Sequence, residues 1–222
     1  MVYEIAKSKN KIFIDTLIIT FSILLIGFSI GFFVEFFRIQ KISDYYQNFE
    51  IEALDLKLQN YYYQIMDEAS CAEAINQNFI FADEIYNTGL TLERYEKSNQ
   101  ISPQLLTEKK RYVLLKTELW LNSILLKKKC NNPFHTVVYI YSQNYNKAKE
   151  AEQKAISDIL RKIKNERGNK LILLPIAGDL DIDSVTMQEK IYNITYFPTV
   201  IIDEKYVLPG FTSEEDINQY LK

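Results

Sequence analysis

The chain has 222 residues, with 26 Lys and Arg against 29 Asp and Glu, a net charge of −3, one His, two Cys and 47% hydrophobic residues. This balance lacks the basic excess that phosphate neutralisation needs, which argues against a dedicated nucleic-acid binder. Two cysteines cannot build a Cys₄ zinc site, one histidine cannot build a His pair, and the hydrophobic content is too high for a disordered chain.

The first element reads as a membrane span. From Thr16 to Val34 no residue carries a charge, and at 1.5 Å per residue this stretch covers roughly 28 Å, enough for a hydrocarbon core. With its flanks it predicts a transmembrane helix over 12–37. A cleaved signal peptide has a shorter apolar region and small residues at its exit, whereas Phe32, Phe33, Phe36 and Phe37 crowd this one. The span is therefore expected to be retained as an anchor. Lys7, Lys9 and Lys11 precede it, and Arg38 and Lys41 follow. The small basic excess at the N-terminal end favours a cytoplasmic tail over 1–11, with the rest of the chain outside the cell membrane. Gly27 and Gly31 form a Gly-x-x-x-Gly pair, spacing that lets two helices approach closely in lipid and offers a route to a homodimer. Small residues also occur in many spans by chance.

Residues 39–130 are expected to form a helical stalk and an antiparallel helical hairpin. No Gly or Pro interrupts 39–69, where Ile51, Leu54, Leu58, Tyr61 and Ile65 recur at alternating spacings of three and four. A second run carries Ile75, Phe79, Ala82 and Ile85 toward Ser98. A third begins at Pro103 and carries Tyr112, Leu115, Leu119 and Leu126. Between them, Ser102 is placed as N-cap and Pro103 as the first helical residue. Helices joined by so short a loop run antiparallel. Cys71 and Cys130 are equally far from the centre of that turn, so the hairpin sets them side by side at its open end. The choice is between a disulfide and two unrelated buried thiols, and the equal arms favour the bridge. A loop of this size would contribute roughly 4 kcal/mol through chain entropy, and a bridge fits the oxidising side of a membrane. Lys127, Lys128 and Lys129 end the third helix, where positive charge suits the dipole.

The remainder alternates strand and helix. His135–Tyr141 is a β-branched and aromatic run, 147–167 a charged amphipathic helix ended by Gly168, and Lys170–Ala177 a second apolar strand. Asp183 or Ser184 caps a short helix to Tyr192. Thr199–Asp203 and Lys205–Leu208 can pair as a hairpin, and Thr212 or Ser213 opens a last helix through Leu221. The order β-α-β-α-β-β-α fits a mixed four-stranded sheet with flanking helices, an α/β fold.

That order, with the segment Ile191-Tyr-Asn-Ile-Thr-Tyr-Phe-Pro-Thr-Val-Ile-Ile202, resembles the thioredoxin superfamily over about 134–222. The resemblance implies that Pro198 is the cis-proline, that Thr199 is its usual follower, that Asp181 stands where the family carries an aspartate, and that Gly210 is its late glycine. The whole chain looks like membrane-anchored archaeal proteins of that superfamily. It departs from the family at the junction Ser142-Gln-Asn-Tyr-Asn-Lys-Ala-Lys-Glu150, where thioredoxins carry Cys-x-x-Cys. No cysteine follows Cys130, so two-thiol chemistry at that position is excluded. What the family's cis-proline loop still implies is a groove for an extended peptide, here at Tyr145, Phe197, Pro198 and Thr199; plain structural retention is the alternative.

Three other features are weighed. Asp179-x-Asp181-x-Asp183 has the spacing that opens a calcium loop, but Ser184 stands in place of the glycine and Lys190 in place of the terminal glutamate, so no metal is expected. His135 has no acid near it in sequence and reads as a strand-edge histidine. No nucleophile–base pair or phosphate-binding glycine loop is evident, so no cofactor and no enzymatic activity are expected. The leading expectation is a membrane-anchored, non-catalytic module that binds a protein or peptide, or acts as a scaffold. One rival is a reversible redox pair at Cys71 and Cys130. Another is assembly through the 39–69 helix and the Gly27/Gly31 face.

Overall fold

The computed structural model describes residues 2–65, 71–96, 103–131 and 133–221. Its elements are α1 (Val2–Ile65), α2 (Cys71–Glu96), α3 (Pro103–Lys129), β1 (His135–Tyr141), α4 (Lys147–Arg167), a 3₁₀ turn (Gly168–Lys170), β2 (Leu171–Ala177), α5 (Asp183–Ile191), β3 (Thr199–Ile202), β4 (Tyr206–Pro209) and α6 (Glu214–Asn218). The turn expected at 99–102, with Ser102 as cap, lies outside the described residues. The chain divides into two units, 1–45 and 46–222.

The first unit is helical. Its stretch Lys11–Val34 is long and apolar enough to cross a membrane, with a mean hydropathy of 2.6. Large apolar side chains from Ile12 to Val34 are exposed, as a helix apolar all round requires of a nonpolar solvent. Thr16, Thr20 and Ser29 turn their hydroxyls onto the carbonyls four residues back, at 2.8, 2.9 and 2.8 Å, so these polar groups are satisfied within the helix. Nothing lies within 4 Å of a Cβ added at Gly27 or Gly31.

In the second unit, α2 and α3 are antiparallel. Cys71 and Cys130 are joined by a disulfide with their Cα atoms 5.8 Å apart. Further along, Asn78 donates to Ser123 at 2.9 Å and Tyr112 to the Ile85 carbonyl at 2.6 Å. Phe79, Phe81, Ile85, Leu115 and Leu119 are buried.

The sheet has the order β2-β1-β3-β4, with β1 parallel to β2 and antiparallel to β3, and β3 antiparallel to β4. It is the mixed four-stranded sheet with flanking helices expected from the sequence. Val137 and Tyr139 of β1 join Ile156, Leu160 and Ile163 of α4 and Ile217 of α6 in one core. Side chains alternate along a strand, so Val138 and Ile140, also buried, face the other side. There α3 packs against β1, β2 and α5, and Trp120 stacks on Tyr192 with ring centroids 5.4 Å apart. The helical hairpin thus supplies a layer of the sheet's own core.

Helix ends differ in detail from expectation. The N-cap of α5 is Ile182, with no side-chain cap, rather than Asp183 or Ser184. Helix α6 stops at Asn218, short of Leu221, behind a capping box of Ser213 and Asp216.

Lys127 stands in the last turn of α3, as the sequence reading has it. Its ammonium is buried there and donates to Asp203 at 2.6 Å, Glu204 at 2.9 Å and Thr136 at 3.0 Å. Asp203 also accepts from His135 at 2.6 Å and from the Thr136 backbone N–H at 3.0 Å, and Glu204 from the Trp120 indole at 3.0 Å. His135 therefore opens a central strand against an acid, and is not an edge histidine. Burial raises the Asp203 carboxyl, but the bonds from Lys127, His135 and Thr136, with the Lys127 charge, outweigh it and hold it below the ordinary range. The two acids form the β3–β4 turn at φ 50° and 57°. A left-handed Glu costs about 1 kcal/mol.

Candidate functional site

The residues that sequence reasoning singled out in the last third of the chain gather at the C-terminal ends of β1 and β2. The Gly178 N–H donates to the Tyr141 carbonyl at 2.8 Å and extends the parallel ladder by one residue. This brings Asp179 against the loop that leaves β1. Its carboxylate accepts the Gln143 N–H at 2.7 Å, the Asn144 N–H at 2.9 Å and the Ser142 hydroxyl at 2.7 Å. Burial raises the Asp179 carboxyl, but these bonds outweigh it and hold it below its usual range. The acid fixes the loop of backbone that joins β1 to α4. Asp181, the residue matched to the family's aspartate, is exposed at φ 52°. Among the described residues no group of His, Cys, Asp and Glu forms a metal site.

The N-terminus of α4 is closed by its own sequence. Asn146 accepts the Lys149 N–H at 3.0 Å on its side chain, while its backbone carbonyl takes the first helical bond from the Glu150 N–H at 3.0 Å. Ser142 is the nearby hydroxyl, within hydrogen-bond distance of Asp179 at 2.7 Å and of the Asn144 carbonyl at 2.9 Å. The chain's one imidazole stands at the other end of β1, about 20 Å away along a seven-residue strand. Ser142 and His135 are therefore too far apart to act as a nucleophile–base pair.

The cis-proline loop lies against the end of β2. The Phe197–Pro198 peptide bond is cis. Pro198 is buried and Phe197 partly so. Thr199, buried at the head of β3, donates to the Tyr196 carbonyl at 2.6 Å. A Cβ on Gly178 would fall 2.6 Å from the Phe197 ring and 2.6 Å from Glu189 Oε1, so this glycine lets the ring lie across the end of β2. Burial, then the Asp179 charge, pushes the Glu189 carboxyl up. Tyr145, Tyr196 and Phe211 are exposed by 45%, 41% and 60%. Tyr196 donates to Glu152 at 3.2 Å, and Lys149 lies 4.8 Å over its ring. The structure thus brings Phe197, Pro198 and Thr199 together in one loop. Cys71, Cys130, Gly27 and Gly31 belong to other parts of the chain.

Both edges of the sheet are guarded. The Gly178–Tyr141 bond sets the even-numbered residues of β2 against β1, so Leu171 and Pro175 face outward. Pro175 has no N–H, its carbonyl accepts from Lys116, and the Leu171 carbonyl accepts from Lys164 at 3.0 Å. On β4, the Gly210 N–H bonds to the Pro198 carbonyl at 2.8 Å, which leaves Val207 and Pro209 facing outward. Proline at the outward positions of both edges disfavours pairing with a further strand.

Sequence reasoning had Asp179 as a solvated or capping residue and did not single out Gly178 or Glu189. The backbone groups that Asp179 binds are 35 and 36 residues away, and no local pattern marks such a pairing. Asp179→Asn is expected to cost about 1–2 kcal/mol at neutral pH, a charged hydrogen-bond contribution reduced for partial exposure and for relief of Glu189. A depressed carboxyl contributes stability that is present above its unfolded pKa and lost as pH falls through its folded one. The cost should therefore fade in acid, as chemical denaturation of both forms across a pH series would show; a constant difference would contradict this role.

No protein-family model and no curated protein matches this chain, so the reading of the site rests on its residues and geometry.

Proposed function

We propose that the chain is a membrane-anchored, non-catalytic module, whose C-terminal part is thioredoxin-like, lacks the redox dithiol, and holds an extended segment of a protein partner outside the cell. The observation that carries this reading is the cis Phe197–Pro198 loop flanked by the exposed Tyr196 and by the exposed Phe211, which follows Gly210, whose N–H bonds to the Pro198 carbonyl. Aromatic rings offer large contact area at little entropic cost, and main-chain groups next to a cis-proline suit an extended peptide. The strand order and the packing of α4 with α6 support the thioredoxin-like assignment. Guarded sheet edges favour this loop over strand addition as the place of capture. The span at 11–34 supports anchoring, the Cys71–Cys130 bridge supports the oxidising side of the membrane, and the lysines before the span support a cytoplasmic N-terminus.

The test is selection of extended peptides from a random library on the full chain in lipid nanodiscs, followed by titration of the selected peptides. Tyr145→Ala and Phe197→Ala are each expected to weaken binding about tenfold or more, equivalent to about 1.4 kcal/mol. Tyr145 is exposed, so its removal leaves the core intact and separates binding from folding. Unchanged affinity in both variants would overturn the groove.

A further inference from the structure

We infer that Asn193 is an N-glycosylation site, the acceptor for an oligosaccharide carried on a polyprenol phosphate or diphosphate. The inference rests on the reading that residues 46–222 lie outside the membrane, where such transfer takes place. Asn193-Ile194-Thr195 has the Asn-x-Thr pattern with no proline at its centre. Of the sixteen asparagines in the chain it is the one followed two residues later by Ser or Thr. That many asparagines would yield a triplet or so by chance, and its position is what distinguishes this one.

Asn193 and Thr195 are both exposed. Asn193 lies one residue beyond the C-cap of α5, at φ 51°. Its N–H donates to the Lys190 carbonyl at 3.3 Å, and the Ile194 N–H donates to the Glu189 carbonyl at 2.8 Å. Together these two bonds form a Schellman motif, with Asn193 at the left-handed position. The backbone is therefore held while the side chain stays at the surface. Among the described residues no hydrogen bond engages the Asn193 amide or the Thr195 hydroxyl. Helix closure explains a residue tolerant of positive φ at 193, where glycine would serve better. Nothing in the packing explains a threonine at 195, the residue whose hydroxyl completes the acceptor pattern. In the transfer, Asn193 Nδ2 forms a bond to the anomeric carbon of the sugar while the bond from that carbon to the lipid phosphate oxygen breaks. The phosphate leaves with the electron pair, and a base of the transferase takes the amide proton.

The full chain would be expressed in a host that N-glycosylates its exported proteins, and two readings taken on the same cells. Mass spectrometry measures the peptide that spans Asn193, and a membrane-impermeant amine reagent reports whether the exposed Lys170 and Lys205 are reached from outside. The expected result is external labelling together with a glycan mass on the peptide. That mass should be lost completely in Asn193→Gly and Thr195→Ala and retained in Thr195→Ser. Asn193→Gly keeps the fold, because glycine is the favoured residue at this helix end. External labelling with an unmodified peptide overturns the glycosylation site and leaves the topology standing. An unmodified peptide with no external labelling overturns the topology, and the site with it.

Discussion

Replacing Lys127 with Met is expected to destabilise the 46–222 unit by about 3–5 kcal/mol, the usual cost of removing one partner from a buried ion pair. The ammonium is 5% exposed and lies against two carboxylates that are 22% and 16% exposed. Methionine fills the same volume but leaves Asp203 and Glu204 facing each other, with little water and no cation between them. The loss should show as a lower denaturation midpoint in the detergent-solubilised full chain. Adding Asp203→Asn and Glu204→Gln to Lys127→Met should recover much of it, because the uncompensated charge is then gone. The difference between wild type and Lys127→Met should also shrink in acid. Asp203, held below its usual range, loses its contribution as pH falls through its folded pKa. A change below about 1 kcal/mol would mean that the pair is solvated and adds little to the packing of α3 on the sheet.

Opening the Cys71–Cys130 bridge should cost about 4 kcal/mol, since it closes a separation of 59 residues and releases the unfolded chain from that constraint. Cys71→Ser with Cys130→Ser, and reduction of the wild type, should lower stability by the same amount. Agreement between the two would assign the loss to the crosslink rather than to the serines. A structural bridge should also stay closed in redox buffers down to about −300 mV. Ready opening at milder potentials would favour the reading in which the two thiols act as a reversible redox pair.

The elements of the fold were legible because they are local. Uncharged Thr16–Val34 declares an apolar helix within itself, and His135–Tyr141 and Leu171–Ala177 declare buried strands by their β-branched and apolar content. The disulfide was legible for a geometric reason: two antiparallel arms of equal length bring their ends together whatever packs on them. The cis-proline loop could be placed from the residues around Phe197 and Pro198, since the motif is contiguous.

Local pattern was therefore enough to place an apolar N-terminal helix, a stapled helical hairpin and a mixed sheet with flanking helices. Composition also determined that no dithiol stands at the head of α4. Tertiary packing made α3 a layer of the sheet's core, and it turned Lys127, in the last turn of α3, into a buried counter-ion. It likewise decided that Asp179 ties down the loop after β1, and that proline guards both sheet edges. These are contacts between residues tens of positions apart. Lys127 and Asp203 are separated by 76 residues and Asp179 and Gln143 by 36. Nothing in the composition around either partner encodes the other, because a charge on a helix end reads the same whether water or a carboxylate finally surrounds it.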